Sequence, residues 1–170
     1  MRELRDEEIT LDASKYLESQ TDTKGVITFV NDYFCEVSGY STDDLVGKPH
    51  NIIRHPDMPR IIFKLLWDRI KAGNNINVCI KNLAKDGRYY WVFTHFEILR
   101  DRNSDEIVGY KAHRKDVSKH IKDVIEPLYK ELVDLEKSGG MEASGNYLDE
   151  FLGSKNVTID TLMEEIYLFY

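Results

Sequence analysis

The sequence contains little cysteine and no long apolar stretch. Of its 170 residues only two are cysteines, Cys35 and Cys79, and both stand in apolar surroundings. Two buried, reduced thiols are the better interpretation, and no Cys/His spacing resembles a zinc site. No stretch approaches the roughly 20 apolar residues of a membrane span, and the N-terminus MRELRDEEIT lacks the apolar core of a secretory signal. We therefore expect a cytoplasmic protein without direct membrane insertion.

A basic cluster is also missing from this acidic sequence. The net charge is -7, and residues 118–170 hold five Lys or Arg against eleven Asp or Glu. Nucleic acids and anionic lipids are both bound through clustered basic side chains. The composition therefore excludes nucleic acid as a partner, and any recruitment to the inner membrane face would have to come through another protein.

Compact catalytic motifs are missing as well. The sequence has no Gly-rich phosphate loop, no nucleophile elbow and no histidine-kinase or cyclase segment. The histidines at positions 95, 113 and 120 are isolated, which is typical of strand or surface histidines. We therefore expect that the protein is not an enzyme.

What the sequence does contain is an alternation of strand and helix patterns. Residues 1–13 form a charged lead-in, frayed or helical. Residues 31–72 have the capping and periodicity of short helices, the longest of which is expected to begin at Asp57 and to end at Gly73. Residues rich in β-branched and aromatic side chains, bounded by turn signals, predict five strands at 16–21, 26–30, 76–80, 89–99 and 107–113. This order predicts an α+β domain over residues 14–117, with a five-stranded antiparallel sheet, helices on one face and an enclosed space suited to a ligand.

The C-terminal part has helical patterns of its own. We expect an amphipathic helix at 118–137, kinked by Pro127, a linker with a short helix at 138–157, and a last helix at 158–170. The first helix has an a/d-type seam, which is either packed on the outer sheet face or free for a partner. Its residues are Ile121, Ile125, Leu128, Leu132 and Leu135.

Two motifs carry a resemblance to a known family. The run from Asn31 to Tyr40, N-D-Y-F-C-E-V-S-G-Y, resembles the PAS domain. The run R-H-P-D-M-P, from Arg54 to Pro59, is similar to the FAD-binding PAS domain of bacterial aerotaxis receptors. The resemblance covers about residues 16–117.

The resemblance implies a set of FAD contacts, each of which also has an ordinary structural interpretation. Arg54 and His55 would contact the cofactor, and a guanidinium suits a pyrophosphate, but the prolines around them also shape a turn. Asp57 would cap the long helix and fix one of these two side chains by a hydrogen bond. The remaining candidates are Phe63 and Trp67, which would flank the ring or belong to the core, Asn82, which would bind its polar edge, and Asn31, which is also a helix cap.

The resemblance also implies a partner. Aerotaxis receptors continue into a membrane anchor and signalling domains, whereas this chain ends at Tyr170, so it resembles the free-standing PAS partner of bipartite energy-taxis systems. The expected partner is the HAMP region of a membrane-bound methyl-accepting chemotaxis-type receptor or another signalling protein, and a homodimer is a further expectation. Two alternatives stay open: a cofactor-free PAS dimerisation module, and a haem oxygen sensor that uses His50 or His55. Flavin photochemistry is not expected, because Pro49–Arg54 contains no cysteine.

Overall fold

The structure, a computed structural model, describes residues 2–169, with side chains up to Glu165. Its centre is one antiparallel sheet of five strands in the order β2-β1-β5-β4-β3. The predicted α+β arrangement is therefore confirmed. The strands are β1 (Leu17–Thr21), β2 (Ile27–Val30), β3 (Ile76–Leu83), β4 (Tyr89–Arg100) and β5 (Ile107–Asp116).

Local signals decide where most of the helices between β2 and β3 begin and end. Asn31 caps the first of them by accepting a hydrogen bond from the Phe34 N–H, and Ser41 and Asp44 form a capping box at the second. These elements are α1 (Asp32–Ser38), α2 (Thr42–Leu45), a short 3-10 helix (His50–Ile53) and α3 (Arg60–Lys71).

The start of the longest of these helices was predicted wrongly. It begins at Arg60 and not at Asp57, and Pro59 occupies the N-cap position without a side-chain hydrogen bond. Proline disfavours helical backbone in the residue before it, and Pro56 and Pro59 frame the segment that was assigned to the helix. Asp57 therefore lies in the preceding turn.

The N-terminal lead-in is extended, and the expectation of a frayed or helical segment is not met. Its backbone pairs with the start of β4, where the Tyr89 N–H donates to the Glu7 carbonyl at 3.0 Å and the Ile9 N–H donates to the Tyr89 carbonyl at 2.8 Å. The Arg5 N–H donates to the Gly87 carbonyl at 2.9 Å. Gly87 has φ +91°, and a Cβ there would come within 2.0 Å of the Glu3 carbonyl oxygen, so the close approach requires glycine.

The C-terminal extension is more helical than expected. Helix α4 runs from Lys119 to Lys155 and α5 from Ile159 to Phe169, so most of the expected linker is helix. The only non-helical backbone inside α4 is at Gly140, with φ 65° and ψ -168°, and the chain does not break at Pro127. Glycine readily adopts positive φ, and the helix resumes after it. Tyr170 lies outside the described residues.

Helix α4 packs on the outer face of the sheet. The Tyr129 hydroxyl donates to the Cys79 carbonyl at 2.7 Å, and its ring lies 6.1 Å from that of Trp91, which faces away from the inner side of the sheet as its alternation predicts. The predicted apolar seam is buried in this contact except for half-buried Leu135. Its packing is intramolecular. Cys79 is a buried free thiol whose pKa burial raises to about 12, while Cys35 is free and half-buried.

None of the helices among the described residues combines the length and the apolar character that crossing a bilayer demands.

Candidate functional site

A cavity of about 320 Å³ lies between the inner face of the sheet, the 3-10 helix and α3. A volume of this size accepts a ring system of a small ligand. Aromatic and aliphatic side chains supply most of the wall, and a few polar groups converge on it. The lining residues are Ser19, Thr21, Lys24, Gly25, Pro49, His50, Asn51, Ile53, Arg54, Phe63, Leu66, Trp67, Ile70, Ile80, Asn82, Phe96, Tyr110, Ala112 and Arg114.

The most unusual polar group in this wall is the guanidinium of Arg114 on β5. The residue is 2% exposed, and its Nη1 donates to the Ser19 Oγ at 2.9 Å while its Nη2 lies 2.8 Å from the His50 Nε2. Burial lowers the pKa of Arg114 to about 10, so the group stays charged at neutral pH. The cavity wall therefore holds a permanent positive charge.

His50 is held neutral beside this charge. Burial, and after it the positive charge of Arg114, lower the pKa of His50 to about 3. A neutral imidazole nitrogen accepts the hydrogen bond that the guanidinium donates, and the Ser19 Oγ lies 3.0 Å from the same Nε2. The ring of Phe34, part of the N-D-x-F motif, lies 5.3 Å from the Arg114 Cζ.

No carboxylate of residues 2–169 forms an ion pair with Arg114, although ion pairs are otherwise numerous. Buried charges in proteins are normally paired, because removal from water is costly. A ligand with an electron-rich or negatively charged edge would supply the missing partner. Flavins, whose ring has such an edge, fit this requirement.

Two further polar atoms lie on the same side of β4 without a hydrogen-bond partner among the described residues. They are the hydroxyls of Tyr90 and Thr94. Each residue sits directly across from a cavity-lining residue, Tyr90 from Asn82 and Thr94 from Arg114. Buried hydroxyls normally form hydrogen bonds, so these two groups are available to bond to a ligand in the cavity.

Four of the predicted site residues meet at the cavity. The Arg54 guanidinium carbon lies 3.8 Å from the centre of the Phe63 ring, and the Arg54 backbone forms a bridge with that of Asn82 on β3. Asn82 is buried, whereas Arg54 is exposed at the mouth, where Lys24 also lies. The mouth is therefore positively charged and suited to phosphate groups.

Trp67, the fourth of these residues, closes the side of the cavity next to β5. Its ring lies 5.8 Å from that of Tyr110 in an edge-to-face arrangement, a favourable geometry for aromatic pairs. Gly25 packs against it, and a Cβ at Gly25 would lie only 2.9 Å from the Trp67 Cη2. The β1–β2 turn thus approaches the indole as closely as its backbone permits.

The other three predicted residues do not line the cavity. Asn31 accepts from the backbone N–H groups of Glu18 and Phe34, both at 3.0 Å, as a helix cap. His55 is buried beside the ring of Tyr89, away from the cavity, and its Nδ1 accepts from the Asp57 N–H at 3.0 Å. The Asp57 carboxylate lies 2.9 Å from the Lys81 Nζ at a separate groove on the outer side of the sheet.

Comparison with known proteins agrees with this geometry. A family model described as the PAS fold matches residues 27–113, about half of the chain. The aerotaxis receptor of Escherichia coli strain K12 is 39% identical over 117 residues, which are 68% of this chain and 22% of that protein. The chain thus spans less than a quarter of the length of this relative.

Solved structures with the same fold include light-oxygen-voltage domains. The light-state structure of the blue-light photoreceptor Aureochrome1 LOV superposes with a TM-score of 0.57 and 26% identity, covering 64% of this chain and 86% of that one. A light-oxygen-voltage domain studied with a flavin analogue superposes with a TM-score of 0.60 and 18% identity, covering 66% and 84%.

Proposed function

The chain belongs to the PAS family, and on that basis we propose that it is a sensor that binds a flavin, specifically FAD, and relays the redox state of that flavin to a signalling partner. The observation that carries this proposal is the charged guanidinium of Arg114, buried in the cavity wall without a carboxylate partner. A positive charge at this point favours a ligand whose edge gains negative charge on reduction.

Different residues of the cavity would contact different parts of the FAD molecule. Asn82 and Arg114 would contact the polar edge of the flavin ring, and the aromatic side chains of Phe63 and Trp67 would contact its apolar surface. Arg54 and Lys24 would hold the phosphates of FAD outside the cavity, since 320 Å³ has no room for the whole molecule. Bound flavin supplies reversible electron transfer.

The same residues fit a haem group less well than a flavin. Of the two candidate haem ligands, His55 lies outside the cavity lining, and the Nε2 of His50 is engaged by Arg114 and Ser19. Axial ligation through His50 would break this cluster and take the His50 acceptor away from the Arg114 Nη2. The flavin proposal requires no such rearrangement.

For the output, we propose sensing rather than catalysis, with a separate chemotaxis-type receptor or another signalling protein as the partner. The similarity to an aerotaxis receptor supports this class of partner. The C-terminal extension is the expected route, because α4 packs on the outer face of the sheet whose inner face lines the cavity, and α5 contacts the edge strand β3. A change in ligand charge would alter the packing of the elements that line the cavity and contact the extension.

An absorption spectrum of the purified protein, followed by release and chromatography of any chromophore, tests the proposal. Flavin bands together with released FAD would support it, and titration of the ligand-free protein with FAD, FMN and riboflavin would then rank the three. A strong Soret band would replace flavin by haem. A colourless protein that takes up no flavin after refolding would instead support a PAS interaction module without a cofactor.

A further inference from the structure

A carboxylate from the C-terminal extension is buried against the first turn of α3. The Glu136 side chain is 7% exposed, and its Oε2 accepts from the Arg60 N–H and its Oε1 from the Ile61 N–H, both at 2.9 Å. The same Oε1 accepts from the Ser144 hydroxyl at 3.0 Å. Ser144 follows the break of α4 at Gly140, whereas Glu136 precedes it, so one carboxylate joins α3 to both halves of α4.

Helix α3 depends on this carboxylate for its N-terminal cap. The first N–H groups of a helix have no partner within the helix, and they are usually satisfied by the side chain of the N-cap residue. Here the N-cap residue is Pro59, which makes no such bond. Glu136, 76 residues away from Arg60 in the chain, takes its place, and its negative charge also favours this end of the helix.

The capped helix is at the same time a wall of the cavity. Phe63, Leu66, Trp67 and Ile70 of α3 all line it. A second tie to the extension lies near the other end of α3, where Arg69 forms an ion pair with Asp160 of α5. The wall is thus held by the extension near both ends, and a shift of α3 toward or away from a ligand strains these contacts.

We propose that Glu136 is the positioning residue that couples cavity occupancy to docking of the C-terminal helices, a role that rests on the proposed function for the identity of the ligand. When α4 is docked, the carboxylate holds α3 in the position that forms the cavity wall. Thermodynamic linkage makes the effect reciprocal, so a ligand that stabilises this position of α3 stabilises the docked extension by the same factor. Glu136 needs no contact with the ligand for this.

The substitution Glu136→Gln tests the contact with almost no change of shape. Both carboxylate oxygens accept from backbone N–H groups, and glutamine replaces one of them by an NH₂ group, which turns a donor toward a donor. In the ligand-free protein, hydrogen exchange should become about tenfold faster or more at the amides of Arg60 and Ile61 and throughout α5. The matched control is Glu131→Gln, because Glu131 is an exposed residue of α4. This substitution should leave hydrogen exchange unchanged both at the start of α3 and in α5.

The second measurement repeats the exchange experiment with FAD added. In the wild-type protein FAD should slow exchange in α5, whereas in Glu136→Gln this ligand-dependent difference should disappear and the affinity for FAD should fall by a similar factor. A variant that keeps the full ligand-dependent protection of α5 would overturn the proposal, because docking and occupancy would then communicate by another route.

The two proposals fail in distinguishable ways. If the wild-type protein takes up no flavin, the proposed ligand is wrong, and exchange in the ligand-free protein still decides whether Glu136 ties the cavity wall to the extension: unchanged exchange in α3 and α5 overturns the role. If Glu136→Gln does not fold, Ser144→Ala removes one bond to the same carboxylate, and a faster exchange in both helices is again the supporting result.

Discussion

Replacing Arg114 by methionine tests whether its buried charge is kept for a ligand rather than for stability. Methionine has nearly the length of the aliphatic part of arginine and no charge, so it fills much of the same space. Burial lowers the pKa of Arg114 from 12.5 to about 10, although the group remains protonated at neutral pH. A lowering of this size corresponds to about 3 kcal/mol of unfavourable free energy for the charged form.

The substitution also removes favourable contacts. The hydrogen bonds of the charged Arg114 to Ser19 and His50 contribute about 1.5–3 kcal/mol each, and the Ser19 Oγ and the His50 Nε2, already 3.0 Å apart, can then bond to each other and recover about 1 kcal/mol. The free energy gained by removing the buried charge nearly cancels the free energy lost with the two hydrogen bonds. We therefore expect the free energy of unfolding of the ligand-free protein to change by less than about 2 kcal/mol. Removing one partner of a buried ion pair would instead cost about 3–5 kcal/mol.

The ligand should be affected much more strongly than the fold. We expect the affinity of Arg114→Met for FAD to fall at least about tenfold, which is the effect of losing one hydrogen bond to a charged group. The midpoint potential of the bound flavin should become more negative, because a positive charge that favours the reduced form is gone. Urea unfolding of the ligand-free protein, FAD titration and a redox titration measure the three effects.

The matched control is Lys111→Met on the same strand, whose side chain points away from the cavity and should leave all three quantities unchanged. A variant Arg114→Met that loses more than about 4 kcal/mol of stability while its affinity for FAD stays the same would refute the reasoning. The guanidinium would then be a structural group.

Three further results are expected. Asn31→Ala should lower the free energy of unfolding by about 1–2 kcal/mol through loss of a helix cap, with no change in the titration with FAD. Arg54→Ala should weaken FAD about tenfold but leave riboflavin, which has no phosphates, nearly unaffected in the same assay. The pKa of His50 is lowered to about 3 and that of His55 to about 4 by burial, so the unfolded chain binds more protons below pH 6.5. Stability measured by urea unfolding should therefore fall from pH 6.5 to 5, by about 2 kcal/mol for the fully buried His50 and by less for His55, and His50→Gln should remove the larger part of this loss.

Elements that depend on neighbouring residues could be predicted from the sequence, whereas those that depend on distant ones could not. The helix cap at Asn31 could be predicted because its partner, the Phe34 N–H, lies only three residues away. The extended lead-in was missed because its backbone partner, Tyr89, is about 80 residues away. A charged N-terminal segment carries no signal for such pairing.

The residues of the candidate site likewise include some that could be predicted from the sequence and some that could not. Arg54, Phe63, Trp67 and Asn82 were named through the resemblance, and all four line the cavity. The cluster around Arg114 was missed because its members come from three elements, with 95 residues between Ser19 and Arg114. One signal was available: Tyr110, Ala112 and Arg114 alternate on one face of β5, and a charged residue on an inward face marks a functional position.

Arg114 and Glu136 are the two charged residues through which the proposed coupling would act. Arg114 lies in the cavity wall, and Glu136 lies where the C-terminal extension contacts α3. Arg114 holds a buried positive charge in the wall of the ligand-free cavity, and Glu136 stabilises α3 only while the extension is docked. A ligand that neutralises the first charge therefore adds stability to the arrangement that the second one holds. Coupling between sites typically amounts to about 1–3 kcal/mol, which changes the equilibrium constant for docking of the extension about 5-fold to 150-fold. If the proposed flavin is bound, one charge-assisted hydrogen bond between it and Arg114 would supply that amount, so a change in flavin charge would suffice as the signal without a large rearrangement of the sheet.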